Sequence, residues 1–344
     1  MLTGASGFLG CYVLKELYDK TDKKIYCLIR DEEKFKSVLS HHTNITLSDS
    51  RIICIIGDIT KEQLDISNDL YNSLVKDVSD VIHCAATISL FGSWEDSKRV
   101  NYMGTCNVLD FVEKASAKIH HISTISVSGD SVVEQKNPSA TFNENDLFIG
   151  QSYADNIYVH SKYLAEQEVL LRFQRSNIDA SIYRIGHILW DSKTGKFQDN
   201  YYSSDVYMLI NAFKTIGKLP EILVSQKMPI IPVNECAKII CEEINAEQNR
   251  VYHLYDDSIT RGEFMASLGV TEKISFEEFM VEAQKYQSQT MRFTEMFLTA
   301  MVMSNGQFDV NITNEETRKY LEKHDCLWQG VDSEYVKMVI LNDQ

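Results

Sequence analysis

The stretch Thr3-Gly4-Ala5-Ser6-Gly7-Phe8-Leu9-Gly10 limits what this chain can fold into more than any other. Its glycines, spaced G-x-x-G-x-x-G, stand where a strand should end, and Leu9, Val13 and Leu17 come next at helical spacing. A glycine turn feeding a helix N-terminus presents bare backbone N–H groups and the positive end of the helix dipole to a phosphate. A Cβ in such a turn blocks either the tight chain reversal or the ligand's approach. The motif alone is unspecific, so the order of the downstream segments decides its meaning. Only Met1 and Leu2 precede it, against roughly five or six residues in an ordinary strand. A central strand cut so short predicts that residue 1 is not the natural start and that the chain is a domain of a longer protein.

Five apolar runs lie downstream of the turn. Lys24–Arg30, Arg51–Gly57, Asp80–Ala86, Lys118–Ser123 and Ala180–Arg184 read as short buried strands, and the stretches around Ser97–Lys114 and Ala154–Arg175 between them read as helices. Strands alternating with helices predict an α/β chain with a Rossmann-like, doubly wound parallel sheet, and the glycine turn falls at its first strand-to-helix crossing. From about Asp191 the pattern loosens, and the proline-containing stretch Pro220–Pro232 breaks it further. The expected division is a nucleotide-binding domain over 1–190 and a smaller, mostly helical substrate lobe over 191–344, with segments near 215–255 packing back onto the first.

Composition removes several classes. A formal charge of −15 argues against a nucleic-acid binder, which shows a basic stripe. No apolar run approaches the roughly 18 residues that span a bilayer, and no signal-peptide pattern opens the chain. The 8 cysteines include no C-x-x-C pair and several sit in apolar runs, which predicts reduced, buried thiols in a cytoplasmic protein. The adjacent pairs His41-His42 and His120-His121 lack metal-ligand spacing, so no metal is expected.

The residues that carry chemistry lie at strand ends. Arg30 ends the second strand, where an acidic residue would hydrogen-bond the adenosine ribose of NAD; an arginine there suits the extra phosphate of NADP. A plain solvent-exposed strand end is the alternative. Asp58, after Gly57, fits either an adenine contact or a turn cap. The fifth strand ends Ser123-Thr124-Ile125-Ser126, placing hydroxyls at the carboxyl edge where open α/β sheets bind ligands. Tyr158 and Lys162 lie four apart on a predicted helix and share one face. With 17 tyrosines, about one such pair is expected by chance, so its place after the hydroxyl-rich strand end carries the reading. A tyrosine there can donate a proton to a carbonyl oxygen that receives hydride, with the lysine expected to lower its pKa and Thr124 to orient the same oxygen. Strand-end capping by Thr124 and core packing by Tyr158 are the bland alternatives. No Gly-x-Ser-x-Gly elbow occurs, which sets a serine hydrolase aside.

In that order, T-G-A-S-G-F-L-G at 3–10, Y-C-L-I-R at 26–30, G-D-I at 57–59, the run 70–86 ending H-C-A-A, N-Y-M-G-T-C-N-V-L at 101–109, H-I-S-T-I-S-V at 121–127, Y-V-H-S-K-Y-L-A-E at 158–166 and Y-R-I-G-H-I at 183–188 resemble the extended short-chain dehydrogenase/reductases. Within them the chain is similar to the thioester reductase branch, the terminal reductase domains of nonribosomal peptide synthetases and carboxylic acid reductases. The resemblance implies NADPH as cofactor, held by Gly4, Ser6, Gly7, Phe8, Leu9, Gly10, Arg30, Asp58, Ile59, Ala85, Ala86, Thr87, Lys162, Tyr183, Ile185 and Ile188. It implies a Thr124–Tyr158–Lys162 triad and an acyl or peptidyl thioester on the phosphopantetheine arm of a carrier protein, a domain expected upstream in the same chain. Reduction gives a thiohemiacetal that collapses to an aldehyde, which some members reduce again to an alcohol. The chain departs from the pattern at Ile185, where many relatives have proline. Lys193, Lys196, Lys214 and Lys218 are candidates for docking an acidic carrier, and Met296, Met301 and Met303 fit either a substrate channel or plain core. A nucleotide-sugar epimerase or dehydratase, which usually has an acidic end to its second strand, and a non-catalytic NADP-sensing regulator are the competing functions.

Overall fold

The computed structural model describes residues 1–344 except 89–91, 130–139, 154–155, 177, 202–203, 247, 287, 289, 293, 296–297, 299–309 and 343–344. The strands are β1 (Leu2–Thr3), β2 (Ile25–Ile29), β3 (Ile52–Ile56), β4 (Asp80–His83), β5 (Lys118–Thr124), β6 (Thr141–Phe142), β7 (Ala180–Ile185), β8 (His187–Leu189), β9 (Lys218–Pro220), β10 (Ile230–Pro232), β11 (Val251–Leu254), β12 (Glu272–Ile274) and β13 (Asn311–Ile312). Seven of them form one sheet in the order β11-β7-β5-β4-β1-β2-β3, every pairing parallel. The order reverses direction between β1 and β4, the crevice where doubly wound sheets bind ligands. β1 contributes only two ladder residues, Leu2 opposite Cys27 and Ile82, and Thr3 opposite Leu28 and His83. It is held from its flanks as well: the Met1 carbonyl accepts from Ile82 N and the Thr3 carbonyl from Cys84 N.

Among the described residues the α-helices include α1 (Phe8–Lys20), α2 (Glu32–His42), α3 (Asn68–Asp77), α4 (Trp94–Ser97), α5 (Gly104–Ala115), α6 (Ile157–Ser176), α7 (Asp205–Ile216), α8 (Val233–Glu242), α9 (Arg261–Ser267), α10 (Phe276–Ala283), α11 (Glu315–Lys323) and α12 (Ser333–Asn342). Strand alternation divides the apolar side chains between two faces of the large sheet. Ile25, Cys27 and Ile29 of β2 join α1, α2 and α8 in one core, while Leu28 joins α3, α5 and α6 in the other. A further core is built from Leu189, Trp190, the inner face of α7, and Phe264 and Phe279 of α9 and α10. Residues late in the chain return to the first core: β11 pairs with β7, and Leu321, Cys326 and Trp328 pack beside α8. None of the 8 cysteines is disulfide-bonded. Among the described residues no helix is long and apolar enough to cross a membrane. Met296, Met301 and Met303 lie outside the described residues.

The helix that the sequence places around 97–114 is interrupted. A π-helical turn, Lys98–Met103, links α4 to α5 and turns Asn101 inward. Its side chain clasps the Thr87 peptide, accepting from Thr87 N at 2.8 Å and donating to Thr87 O at 2.9 Å, and donates to Ser161 Oγ on α6 at 2.8 Å.

A buried ion pair fixes α6 to the sheet. Glu166 is 0% exposed and Arg184 of β7 is 1% exposed. Arg184 Nη2 and Nε donate to Glu166 Oε1 at 2.6 and 2.8 Å, and Ser123 Oγ donates to Glu166 Oε2 at 2.6 Å. The remaining guanidinium protons are directed to the Asp146 and Asn143 carbonyls and the His253 ring. Every charge is thus partnered, which is the condition for a buried pair to survive its desolvation. Glu166→Ala, which strands Arg184, should cost about 3–5 kcal/mol; urea denaturation checks this, and an unchanged midpoint would show that the pair does not hold the helix.

Candidate active site

The glycine turn lies directly above β1. Gly4 has φ +75°, and a Cβ on it would come within 2.6 Å of Ala85 N; a Cβ on Gly10 would come within 2.1 Å of the Gly4 carbonyl oxygen. Helix α1 therefore starts pressed against its own strand end. Gly7 at its N-cap has no side chain to cap it, and no acidic residue occupies the first turn. The N–H groups and positive dipole end are left to a ligand, as a pyrophosphate requires.

A cavity of about 320 Å³ opens over this turn and runs along the carboxyl edge of the sheet. Of the residues expected at the site, Gly4, Gly7, Phe8, Leu9, Gly10, Ala86, Thr124, Tyr158, Lys162, Ile185 and Ile188 line it. Thr124 is the last residue of β5, and its Oγ1 also accepts from Ser126 N at 3.2 Å, so it caps the next turn while facing the cavity. Tyr158 sits in the first turn of α6, with Lys162 one turn on. Lys162 Nζ donates to the Ile122 carbonyl of β5 at 2.5 Å.

The remaining expected residues are distributed beyond the cavity wall. Arg30 is exposed just past β2, and no described carboxylate lies within ion-pair distance of it. Asp58 accepts from Thr60 N at 2.8 Å, so one oxygen serves the turn cap. Ile59 is buried against Gly104, and its carbonyl accepts from Asn107 at 2.7 Å. Ala85 N donates to Thr3 Oγ1, and Thr87 is in the Asn101 clasp. Ser6 is half-buried in the turn itself. Tyr183 differs from expectation: it is 0% exposed, its hydroxyl is 3.0 Å from His120 Nδ1, and its ring stacks on Tyr252. It shares a face with Ile185 but lies two residues deeper, about 6.6 Å back from the carboxyl edge at strand rise.

The electrostatics also differ in one respect. The sequence expects Lys162 to lower the Tyr158 pKa, whereas the tyrosine is raised, first by burial and then by the Asp205 carboxylate, with a hydrogen bond from Thr124 pulling the other way. Asp205, the first residue of α7, and His187 of β8 line the cavity, 4.0 Å apart at Oδ1 and Nδ1. His187 stands inside the Y-R-I-G-H-I segment but carries no expected role there, and no sequence motif marks Asp205. Tyr158 is accordingly held protonated, in the form that can give a proton away. Burial pulls the Lys162 ammonium down to about 8, against the opposing charge of Glu166 four residues on.

The family model for the male sterility protein, an NAD-binding domain, matches residues 2–240. The chain belongs to this family. It is 28% identical over 270 residues, 76% of its length, to a linear gramicidin synthase of Brevibacillus parabrevis, of which it spans only 5%. Among solved structures it is similar to a thiolation-reductase di-domain from an archaeal nonribosomal peptide synthetase, at 28% identity and TM-score 0.85, over 99% of this chain and 74% of that one. The terminal reductase domain of the myxalamid pathway shares the fold at TM-score 0.84 and 21% identity, over 99% of this chain and 89% of that one. The seven-stranded sheet is thus that of extended short-chain reductase domains, and the chain is an oxidoreductase of the terminal reductase kind with an NAD(P)-binding fold.

The depressed lysine sets a sign for pH dependence. Its folded pKa of about 8 lies below the ordinary 10.5, so between those values the unfolded chain holds more protons and stability rises with pH on this lysine's account. Lys162→Met should flatten that rise, read as the thermal midpoint of the ligand-free protein across the same window; an identical slope in the variant would refute the assignment.

Proposed function

We propose that this domain performs NADPH-dependent reductive release of an acyl or peptidyl thioester, held on the phosphopantetheine arm of a carrier protein domain, as an aldehyde. The observation that carries the reading is the convergence of the glycine turn, Thr124, Tyr158 and Lys162 on one cavity. The likeness to a thiolation-reductase di-domain over nearly the whole chain supports a carrier as partner. The core built on α7, α9 and α10 supplies the far wall through Ser204, Asp205 and Val206, and we assign it to the substrate and carrier side. Unpaired cysteines suit the reducing cytoplasm, where NADPH and carrier thiols are available.

The residues present fit the cofactor. The uncapped start of α1 and the cradle that a Cβ on Gly4 or Gly10 would fill receive the pyrophosphate, and Arg30, exposed and with no described carboxylate as partner, receives the additional phosphate. Bound NADPH supplies the hydride that the thioester carbonyl accepts. Tyr158, kept protonated by burial and Asp205, donates its proton to the carbonyl oxygen, and Thr124 orients that oxygen. Lys162, anchored on the Ile122 carbonyl, holds positive charge beside the phenolate that results. Return of the proton to Tyr158 as the carbon–sulfur bond breaks releases the aldehyde and the carrier thiolate, which takes its proton from solvent.

Of the four lysines considered for carrier docking, Lys218 pairs with Glu272 at 3.0 Å and Lys196 donates to the His41 carbonyl. Neither arrangement favours a docking role for these two.

The decisive assay follows NADPH oxidation with an acyl-pantetheine thioester. Tyr158→Phe should lower kcat by about 10²–10⁴-fold, the span of a lost general acid; no wild-type turnover sinks the reductase reading, and undiminished turnover in the variant sinks the role of Tyr158. Arg30→Glu should raise the KM for NADPH by roughly 10–100-fold, the worth of a charge-assisted hydrogen bond, and leave the KM for NADH nearly unchanged. Equal effects on both cofactors would remove Arg30 from the phosphate site.

A further inference from the structure

The sequence gives no reason to expect a metal, because neither adjacent histidine pair has ligand spacing. The fold supplies what the spacing lacks. Helix α2 ends in His41 and His42, whose rings stack with centroids 4.6 Å apart and planes 27° from parallel. The segment between β8 and α7 folds back over this helix end and brings Asp199 to both rings. Asp199 Oδ1 lies 3.0 Å from His41 Nδ1 and 3.4 Å from His42 Nε2. One potential ligand atom from each of the three residues lies within 4.8 Å of the others.

From this convergence we infer that His41, His42 and Asp199 form a binding site for a single Zn²⁺-class transition-metal ion, with water in the remaining position. Two imidazole nitrogens and one carboxylate oxygen are the donor set of three-ligand zinc sites, and they disfavour the all-oxygen cations Mg²⁺ and Ca²⁺. The site is half built into the protein. The His42 side chain is 2% exposed, walled by the Phe8 and Tyr12 rings, and its other nitrogen, Nδ1, is buried without a partner. The edge of the ring toward Asp199 is therefore its polar outlet. The other half is open: His41 and Asp199 are 54% and 40% exposed and border a cleft of about 760 Å³, through which an ion and its water can enter. Lys196, the nearest cation along the segment, donates to the His41 carbonyl at 2.5 Å, leaving the Asp199 carboxylate to the histidines.

Such an ion would join two parts of the molecule with different roles. Phe197, two residues before Asp199, packs edge-on against Phe8 of the glycine turn at 5.5 Å, and Gln198 lines the active-site cavity. A metal at Asp199 therefore clamps the segment that borders the cavity to the end of α2, and stabilises the folded state by mass action.

The test uses the untagged protein after chelator treatment, titrated with Zn²⁺ by calorimetry and with Co²⁺ by visible absorption. One saturable micromolar site is expected, with the intense bands of low-symmetry tetrahedral Co²⁺ and a higher thermal midpoint in Zn²⁺. His41→Ala and Asp199→Ala, both at partly exposed side chains, should each weaken that site by at least the roughly 10–100-fold that losing even an outer-shell partner costs. Absence of saturable binding overturns the inference, as does binding that is undiminished in the double variant, which would place the ion elsewhere. Because the readout is metal binding, it stands apart from turnover with NADPH.

Discussion

The buried carboxylate of Glu166 is the constraint on which the geometry of the proposed site depends. It lies one helical turn beyond Lys162, so whatever fixes Glu166 fixes the angle of α6 over the sheet. Arg184 on β7 and Ser123 on β5 both reach it, tying the helix to two adjacent strands at once. Helices packed only by apolar contact can slide by fractions of a turn with modest penalty. A fully hydrogen-bonded ion pair without access to water cannot, because each alternative register leaves a charge stranded. The Asn101 clasp adds a second restraint from the opposite side, joining the segment after β4 to Ser161 on the same helix. A π-turn, rather than a continued α-helix, is what turns Asn101 toward that segment.

With α6 fixed, the groups about Tyr158 favour its protonated form. The phenol is kept neutral by burial and by Asp205, while burial lowers the Lys162 pKa against the opposing charge of Glu166. An anion arriving beside Lys162 favours its charged form, so in the proposed reaction the phenolate strengthens the positive charge that faces it.

Much of this was legible in the chain. Strand ends were recognisable because buried parallel strands are short apolar runs, and the hydroxyls after Ile122 and the Tyr158–Lys162 spacing carried local, periodic signals. What was not legible depends on contacts between distant segments. Tyr183 stands in a motif beside Ile185 and Ile188, yet alternation gives only its face and not its depth below the sheet edge. Asp205 acts on Tyr158, and His187 lies beside Asp205, only because β8 and the start of α7 fold over the cavity, which no periodicity announces. The sequence predicts a return of segments near 215–255, but β11 itself is not legible as a strand for the same reason: four residues at the edge of a sheet, with their pairing fixed by β7 far earlier in the chain.

The contact of Phe197 with Phe8 has a thermodynamic consequence. Phe8 is the first residue of the helix that starts at the glycine turn, and Phe197 belongs to a segment that leads into the core built on α7, α9 and α10. Two binding events that each prefer one placement of this aromatic pair are linked through it, and linkage is reciprocal. Whatever factor an occupant of the far lobe adds to dinucleotide affinity, the dinucleotide must return to that occupant in equal measure.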